Sequence, residues 1–445
     1  MKHSQWCRIV FVVIFSTAWP FAGFAQEARS LNLHDAIELA LKNNRQLQAA
    51  EQYKEAARSM ASQAKGAFFP RIDIVEAFNY SDKPTLVFSN LLDQSSFKQQ
   101  NFAINSLNNP TPLTNLASQL RLEQPLYTGG KLSANLGQAT AFAEASEETA
   151  RRTRQETIAS VTEAYYRVLL AEGDLEVINK SLTSAGAHLE RTKDLFAKGL
   201  AVRADVLRTQ VLVGSFEREK MQAENAIAVN RTQLQYLLGE AAGRYRLTEQ
   251  PNTDELPIEE LDRLISTALQ SRPDVKAAEK EVARAKEIVR VAQADYYPFL
   301  SFITQVESNT RKFTSSAENF AVFVNARWNL FNGFATQEKV VEAQALLRRA
   351  ELLRDDLMQA VAKEVEQLRL GLNVARRQVG VARENVAQGE ESLRILQDRY
   401  HAGLARNVDV LDSEAALKQA QHDFLRAQIN SQIFRARLNL ATGQL

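Results

Sequence analysis

The sequence contains two copies of one pattern, and this duplication constrains the fold more than any other feature. From residue 126 onward, residues match those 204 positions later: PLYTGG at Pro125 matches NLFNGF at Asn329, and KGLAVRADVL at Lys198 matches AGLARNVDVL at Ala402. The copies keep hydrophobic spacing and turn residues but share no catalytic constellation. The pattern indicates duplication of an architectural unit, so function is expected to follow from shape.

Upstream of this region the copies match with a spacing of 228, as in ALKNNRQLQAAE at Ala40 and ALQSRPDVKAAE at Ala268. The spacing changes because the first copy carries 24 additional residues between Pro70 and Pro125. We therefore predict two structural repeats of similar order and unequal length. They cover residues 26–250 and 251–445.

The first 25 residues are typical of a secretory signal peptide. Lys2 and Arg8 precede an apolar run, and small residues follow it at the positions that a signal peptidase reads. Cys7 is the only cysteine and lies in this leader, so the exported chain would have no disulfide and no cysteine metal site. Loss of Lys2 and Arg8 lowers Lys plus Arg from 54 to 52 against 53 Asp plus Glu, a balance that attracts no nucleic acid.

Two proline-free stretches rich in Ala, Gln, Glu, Arg and Leu predict long helices over Lys131–Ala197 and Ala335–His401. Apolar residues recur in both at every seventh position, which is the spacing of a coiled-coil seam. Small residues three positions after the seam would let a second helix approach closely. The seam residues nearest the ends of the helices are Leu189, Phe196, Leu393 and Tyr400.

Gly199 and Gly403 follow the long helices and supply positions that tolerate a positive φ. Because helix is predicted to resume a few residues later, each copy forms a hairpin that extends about 100 Å at 1.5 Å per residue. Four shorter helical segments have about half that length. They are predicted over residues 33 to 66, 204 to 238, 258 to 294 and 408 to 442.

Segments with alternating apolar residues predict four strands of about ten residues, the length that crosses a bilayer when tilted. They lie at residues 72 to 80, 116 to 126, 299 to 308 and 320 to 331. Four strands leave open edges, and such edges cannot face lipid, so other subunits must close the sheet. Two copies would give eight strands, three twelve and four sixteen, and the alternation does not choose among them.

The polar segment at residues 81 to 115 is predicted to be the longer outer loop. Its scattered aromatic residues, among them Phe88, Phe97 and Phe102, indicate that it is packed rather than loose.

With this order of elements placed twice, the chain resembles the TolC-like outer-membrane efflux protein family over essentially its whole mature length. The resemblance implies a mainly α fold with a membrane β-barrel portion. Long antiparallel coiled-coil hairpins would form an α-barrel joined to a β-barrel, with four strands from each chain. The resemblance is carried by PLYTGG at Pro125, by Tyr297-Pro298, by Gly199-Leu200 with Asp205-Val206-Leu207, and by Gly403-Leu404 with Asp409-Val410-Leu411.

Membership would imply a homotrimer with a 12-strand barrel in the outer membrane and a 12-helix tunnel across the periplasm. It would also imply docking to a periplasmic adaptor (membrane fusion) protein and to an inner-membrane pump, either proton-driven or an ATP-binding exporter. The chain would be the passive exit duct of a tripartite efflux or type I secretion system. No cofactor, metal or enzymatic activity is expected.

The expected functional residues lie at the two hairpin tips. Adaptor docking is assigned to Gly199, Leu200, Asp205, Leu207, Gly403, Leu404, Asp409 and Leu411. A charged entrance gate is assigned to Asp194, Asp398, Glu390, Glu391 and Arg394.

Structural interpretations compete with these assignments. The glycines end helices, Asp205 and Asp409 could cap or stabilise the helices that follow, and Asp194 and Asp398 could lie on solvated helix faces. Family tips often place Ser or Thr shortly after the glycine, whereas Val202-Arg203 and Arg406-Asn407 stand here.

The alternative function is a periplasmic coiled-coil adaptor or scaffold, which predicts no strand pairs of bilayer length. The histidines show no metal-ligand spacing and are predicted to be surface residues. They are His34, His188, His401 and His422.

Overall fold

The computed structural model describes residues 29–239, 245–249, 259–312 and 315–445. The predicted leader and the predicted boundary between the repeats lie outside the described residues. The strands are β1 (Arg29–Leu31), β2 (Arg71–Ser81), β3 (Leu113–Tyr127), β4 (Tyr245–Leu247), β5 (Phe299–Lys312) and β6 (Ser315–Arg327). The helices are α1 (Leu33–Asn43), α2 (Arg45–Gly66), α3 (Pro84–Asp93), α4 (Ile104–Asn108), α5 (Lys131–Ala197), α6 (Arg203–Leu238), α7 (Leu261–Ser271), α8 (Pro273–Ala294), α9 (Ala335–His401) and α10 (Asn407–Ala441).

The two long helices are confirmed at both ends. Each contains 67 residues, which corresponds to about 100 Å of helix. Both begin just after a residue in the left-handed region, Gly130 with φ 83° and Phe334 with φ 65°. That backbone turn re-aims the chain from the sheet into the helix.

Two of the predicted shorter helices were wrong as single elements. The segment at residues 33 to 66 breaks at Asn44, which is extended and whose side-chain oxygen accepts the backbone N–H groups of Gln46 and Leu47 at 3.0 and 3.1 Å. The matching break in the second repeat falls at Arg272, just before Pro273. Proline disfavours helical geometry in the residue before it, so here the sequence did contain the signal.

The helices form a single layer that changes partners along its length. Near the hairpin ends the order is α6, α5, α10, α9, and nearer the sheet it is α2, α5, α8, α9. Corresponding residues of the two repeats form the main cores, around Val161 and Val168 in one and Val365 and Leu372 in the other. Among the described residues, no helix has both the length and the apolar character needed to cross a membrane.

The four longer strands form one antiparallel sheet in the order β2, β3, β5, β6. They have 11 to 15 residues and so exceed the predicted length. Direct partners share a face: Leu120 pairs with Ile74 and Val306, and Val306 pairs with Phe320, all on the apolar face. The opposite face carries polar residues, among them Gln119, Arg121, Gln305, Glu307 and Asn319.

The predicted outer loop is packed, as its aromatic residues indicated. It contains α3, a 3-10 helix at Gln99–Phe102 and α4. The Phe97 ring makes edge contacts with Phe88 and Phe102, with ring centroids 5.1 and 5.0 Å apart. The extra residues of the first repeat are therefore a small folded unit at the outer end of the sheet.

Candidate functional site at the hairpin tips

Both hairpins turn through the same backbone motif. Gly199 and Gly403 have φ values of 71° and 72°, and the N–H of the next residue donates to a carbonyl five positions earlier at 2.9 and 2.8 Å. This closure satisfies the last carbonyls of each long helix, and it requires a left-handed residue at the turn. The glycines are helix terminators, as the structural interpretation predicted.

The leucines next to these glycines project outward. Leu200 is 74% exposed and Leu404 is 69% exposed, and Leu207 is also exposed at 51%. Leu411, the counterpart of Leu207, is only 9% exposed and packs inside the chain. The four leucines assigned to docking therefore separate into three surface residues and one core residue.

The two aspartates in the first turns differ in their contacts. Asp409 forms a capping box with Arg406: it accepts the Arg406 backbone N–H at 3.1 Å and its guanidinium at 2.8 Å. These hydrogen bonds hold the pKa of Asp409 below its usual value. Asp205 occupies the same position in α6, where its backbone carbonyl accepts a hydrogen bond from Asn407 at 3.2 Å.

The residues assigned to the entrance gate are all exposed. Arg394 pairs with Glu391 at 2.7 Å and with Asp398 at 3.2 Å, so two of the carboxylates share one cation. The bond to Arg394 lowers the pKa of Glu391. Asp194 and Glu390 are the other two carboxylates assigned to the entrance gate.

The seam residues are buried at the second tip and open at the first. Leu393 and Tyr400 are each 9% exposed, and they pack with Val410. Leu189 is half-buried and Phe196 is 45% exposed, so within one chain Phe196 does not belong to a closed seam. The reason is that α5 turns a different face toward α10 here.

The face of α5 that is turned toward α10 carries a buried polar network that the sequence analysis did not predict. His188 Nε2 lies 2.8 Å from the side-chain oxygen of Asn407, whose amide nitrogen donates to Thr209 at 3.3 Å and to the carbonyl of Asp205 at 3.2 Å. His188 is 5% exposed, Asn407 3% and Thr209 0%. The Tyr400 ring lies 5.1 Å from the His188 ring. The network thus joins α5, α6 and α10 next to both tips.

The prediction that the histidines are surface residues was wrong for His188. Its spacing contained a signal, since it falls between Ala185 and Thr192 on the face of small buried residues. Burial is the main cause that lowers the pKa of His188, and His422, which is half-buried, instead has its pKa raised by a hydrogen bond to Asp174. Throughout the described ranges, no group of His, Cys, Asp and Glu is arranged to hold a metal ion.

The layer of helices and the sheet both end in open edges. α6 and β2 lie on one side of the molecule, and α9 and β6 on the other. Both sides carry exposed apolar residues at helical or strand spacing. They include Ile72, Ile74, Leu207, Val211 and Met221 on the first side, and Phe320, Val322, Leu370, Val374 and Val381 on the second.

Comparisons with known proteins agree with this geometry. Residues 36–240 and 264–444 match the model of a family described as outer membrane efflux protein. The chain is 24% identical to the alkaline protease secretion protein AprF of Pseudomonas aeruginosa, covering 96% of this chain and 88% of AprF. It is 22% identical to the outer membrane protein TolC of Vibrio cholerae, covering 93% and 91%.

A solved structure has the same fold. The crystal structure of the outer membrane protein VceC from Vibrio cholerae superposes with a TM-score of 0.79 at 20% identity, covering 92% of this chain and 96% of VceC. The four long strands and the family match favour a channel over the periplasmic adaptor or scaffold that was the alternative. The family consists of channel proteins rather than enzymes. The chain belongs to the outer membrane efflux protein family, and it is an exit duct of the outer membrane with its helical tunnel in the periplasm.

Proposed function

We propose that three copies of the chain assemble by joining the α6 and β2 edge of one copy to the α9 and β6 edge of the next. Every edge would then be paired. The strands β2 and β6 carry unpaired backbone groups on a sheet whose outer face is apolar, and lipid cannot satisfy such groups. Closure by three copies gives twelve strands in lipid and twelve helices around one tunnel.

The observation that carries this proposal is that sheet and helices leave the same two sides open. The exposed apolar residues on α6 and α9 would be buried by the same closure that pairs the edge strands. A chain that worked as a monomer would leave both apolar stripes in water, and a large exposed apolar surface marks an interface.

The tips are proposed to bind the periplasmic adaptor. Leu200 and Leu404 lie at the ends of hairpins about 100 Å long, where neither packs into the core of its own chain. Leu207 adds to this surface. Gly199, Gly403, Asp205 and Asp409 act by shaping the turns and starting the helices that follow, and Leu411 acts from the core.

The entrance is proposed to carry a ring of carboxylates. In three copies, Asp194 and Asp398 would place six carboxylates around the axis, with Glu390 and Glu391 close by. Arg394 would offset part of this charge through its pairs with Glu391 and Asp398. The remaining negative potential would attract cations to the entrance.

Cargo is proposed to move passively, with energy from an inner-membrane pump and no catalysis by this chain. AprF is named for protease secretion, and TolC for the outer membrane. Both names suit a duct of the outer membrane, and the proposed pump is either proton-driven or an ATP-binding exporter that reaches the duct through an adaptor.

The test is planar-bilayer conductance of the purified mature protein, with its mass determined in the same detergent. Discrete conductance steps from a species of three chains are expected. A monomer or dimer without conductance would overturn the proposal. A matched variant pair sharpens it: Val211→Glu on the α6 edge should abolish the trimer, and Glu224→Gln on the same helix should leave it intact.

A further inference from the structure

The helix α3 lies against one face of the sheet at its outer end. Asn90 on α3 donates to Asn79 on β2 at 2.9 Å, and Gln94 just after α3 donates to Asn115 on β3 at 2.8 Å. On the far side, Asn319 on β6 donates to the carbonyl of Asp93 at 3.1 Å. The helix therefore contacts both edge strands of the sheet, β2 and β6.

The strand side chains that form these hydrogen bonds lie on the polar face. Asn79 and Asn115 are direct partners, and Asn319 is the direct partner of Glu307, which in turn faces Gln119. The side chain of Asn115 also donates to that of Asn309 at 2.7 Å. These amides form one connected polar surface beneath α3.

The contact is buried although it is polar. Asn90 is 4% exposed, Asn115 3% and Asn309 1%, and Val87 of α3 is 4% exposed. Buried amides require hydrogen-bond partners, so the bonds between α3 and the sheet hold the helix in one place. A helix that merely rested on the outer rim would leave these side chains in water.

In a closed membrane barrel the polar face lines the interior and the apolar face meets lipid. Twelve strands about 4.8 Å apart and tilted by about 40° enclose a backbone ring of roughly 24 Å diameter. A helix with its side chains is about 10–12 Å wide, so three copies of α3 inside this ring would leave little open space.

We infer that α3 is a lid that narrows the outer mouth of the channel from within, a barrier separate from the entrance at the tips. This inference rests on the proposed closure by three copies. Because amide hydrogen bonds rather than a large apolar core hold α3 to the strands, the lid can be displaced while the barrel stays closed. In the described part of the second repeat, β5 is followed directly by β6 without a helix between them, so each chain supplies one lid.

The test measures access from outside to a cysteine below the lid. Gln305 lies on the polar face, deeper than Glu307, and Cys7, the only native cysteine, lies in the predicted leader. In intact cells with Gln305→Cys, a small impermeant thiol reagent is expected to label the site, and a large polyethylene-glycol maleimide is expected to be excluded. This readout does not depend on whether the tips are open.

Adding Asn90→Ala and Gln94→Ala removes two contacts of the lid, and labelling by the large reagent should rise by roughly tenfold or more. Thr85→Ala, at an exposed position on the same helix, is the matched control and should leave the large reagent excluded. A second variant replaces residues 84–93 by a Gly-Ser segment of equal length, which removes the helix while keeping the chain connection.

Equal labelling by the large reagent with α3 intact and with α3 replaced would overturn the lid. The mass of each purified variant is determined in parallel. If the unmodified protein does not have the mass of three chains, the result counts against the proposed assembly instead. Failure of the lid and failure of the assembly are therefore distinguishable.

Discussion

The first and second hairpin tips have nearly the same backbone and different surroundings. At the second tip Tyr400 is buried against neighbouring helices, and Arg406 and Asp409 cap the helix that follows. At the first tip Phe196, the counterpart of Tyr400, is 45% exposed, and α6 begins without a side-chain cap from Val202. Duplication preserved the turns, and the side chains around them diverged.

The divergence follows from where each tip lies in the layer. Residues of the second tip pack against α5 through Leu195, so their partners are inside the chain. α6 lies at an open edge, and no other helix or strand of the described ranges packs against its outward face. A side chain with internal partners is constrained by packing, whereas one at an open edge of the layer is not. Four predictions test this difference between the tips.

The largest effect is expected at Tyr400. Tyr400→Ala should destabilise the second tip by about 3–5 kcal/mol, because it removes a buried aromatic ring and leaves a cavity. Phe196→Ala should have little effect in the isolated chain, since its ring is partly in water. Hydrogen exchange of the tip amides measures both. Tyr400→Phe is the control, because the hydroxyl has no hydrogen-bond partner among the described residues, and equal losses at the two tips would contradict the comparison.

The polar network should give the next largest effect, and it should depend on pH. Asn407→Ala removes the hydrogen-bond partner of the buried His188 side chain and should cost about 1–3 kcal/mol. Burial lowers the pKa of His188 below its ordinary 6.5, so between these two values the unfolded chain binds more protons than the folded tip. The contribution of neutral His188 to the stability of the tip is therefore fully present above about pH 6.5. It is lost as the pH falls from there through the folded pKa.

The measurement is tip hydrogen exchange between pH 5 and 8 in His188→Gln, which should flatten the acid loss. His422→Gln is the control with the opposite sign. The hydrogen bond that the His422 ring donates to Asp174 raises the pKa of His422, so its contribution to stability is present at low pH and is lost as the pH rises through the folded pKa. Identical pH profiles in the two variants would refute the role of His188.

The tip glycines should be equivalent, in contrast to Tyr400 and Phe196. Gly199→Ala and Gly403→Ala should each cost about 1–2 kcal/mol, because both place a side chain at a left-handed φ. A Cβ at either position would meet open space, so the cost is conformational only. Thermal or denaturant unfolding followed at each tip measures it. A large difference between the two would show that the turns are not equivalent.

The smallest effect on stability is expected at Arg394, an exposed residue near the second tip. Arg394→Gln should leave folding unchanged, since exposed ion pairs contribute little. It should nevertheless increase cation selectivity by freeing Glu391 and Asp398, as measured by the reversal potential in a salt gradient. Lys193→Gln at the first tip, whose partner is Glu190, is the matched control. Unchanged selectivity in Arg394→Gln would place these carboxylates away from the ion path.

Local chemistry made most of the fold predictable. The ends of α5 and α9 could be read from composition and from the glycines beyond them, because helix propensity and termination act over a few residues. The break at Arg272 could have been read from Pro273, but the matching break at Asn44 has no proline and depends on a side-chain cap. The face of α5 that carries His188 could not be identified, because which side of a helix is buried near its end depends on where its neighbours pass.

By itself, the sequence determined the duplicated order of elements, the long hairpins, the glycine turns and the alternating strands, since each depends on residues close together in the chain. Only the tertiary structure decided that Leu411 and Tyr400 are core residues while Leu207 and Phe196 are not, that Asn407 joins three helices, and that α3 lies on the polar face of the sheet. Duplicated sequences have equivalent local preferences. Their positions in the layer are not equivalent. The helix at the open edge is α6 in the first repeat and α9 in the second, so corresponding residues have different neighbours, and those long-range neighbours set burial.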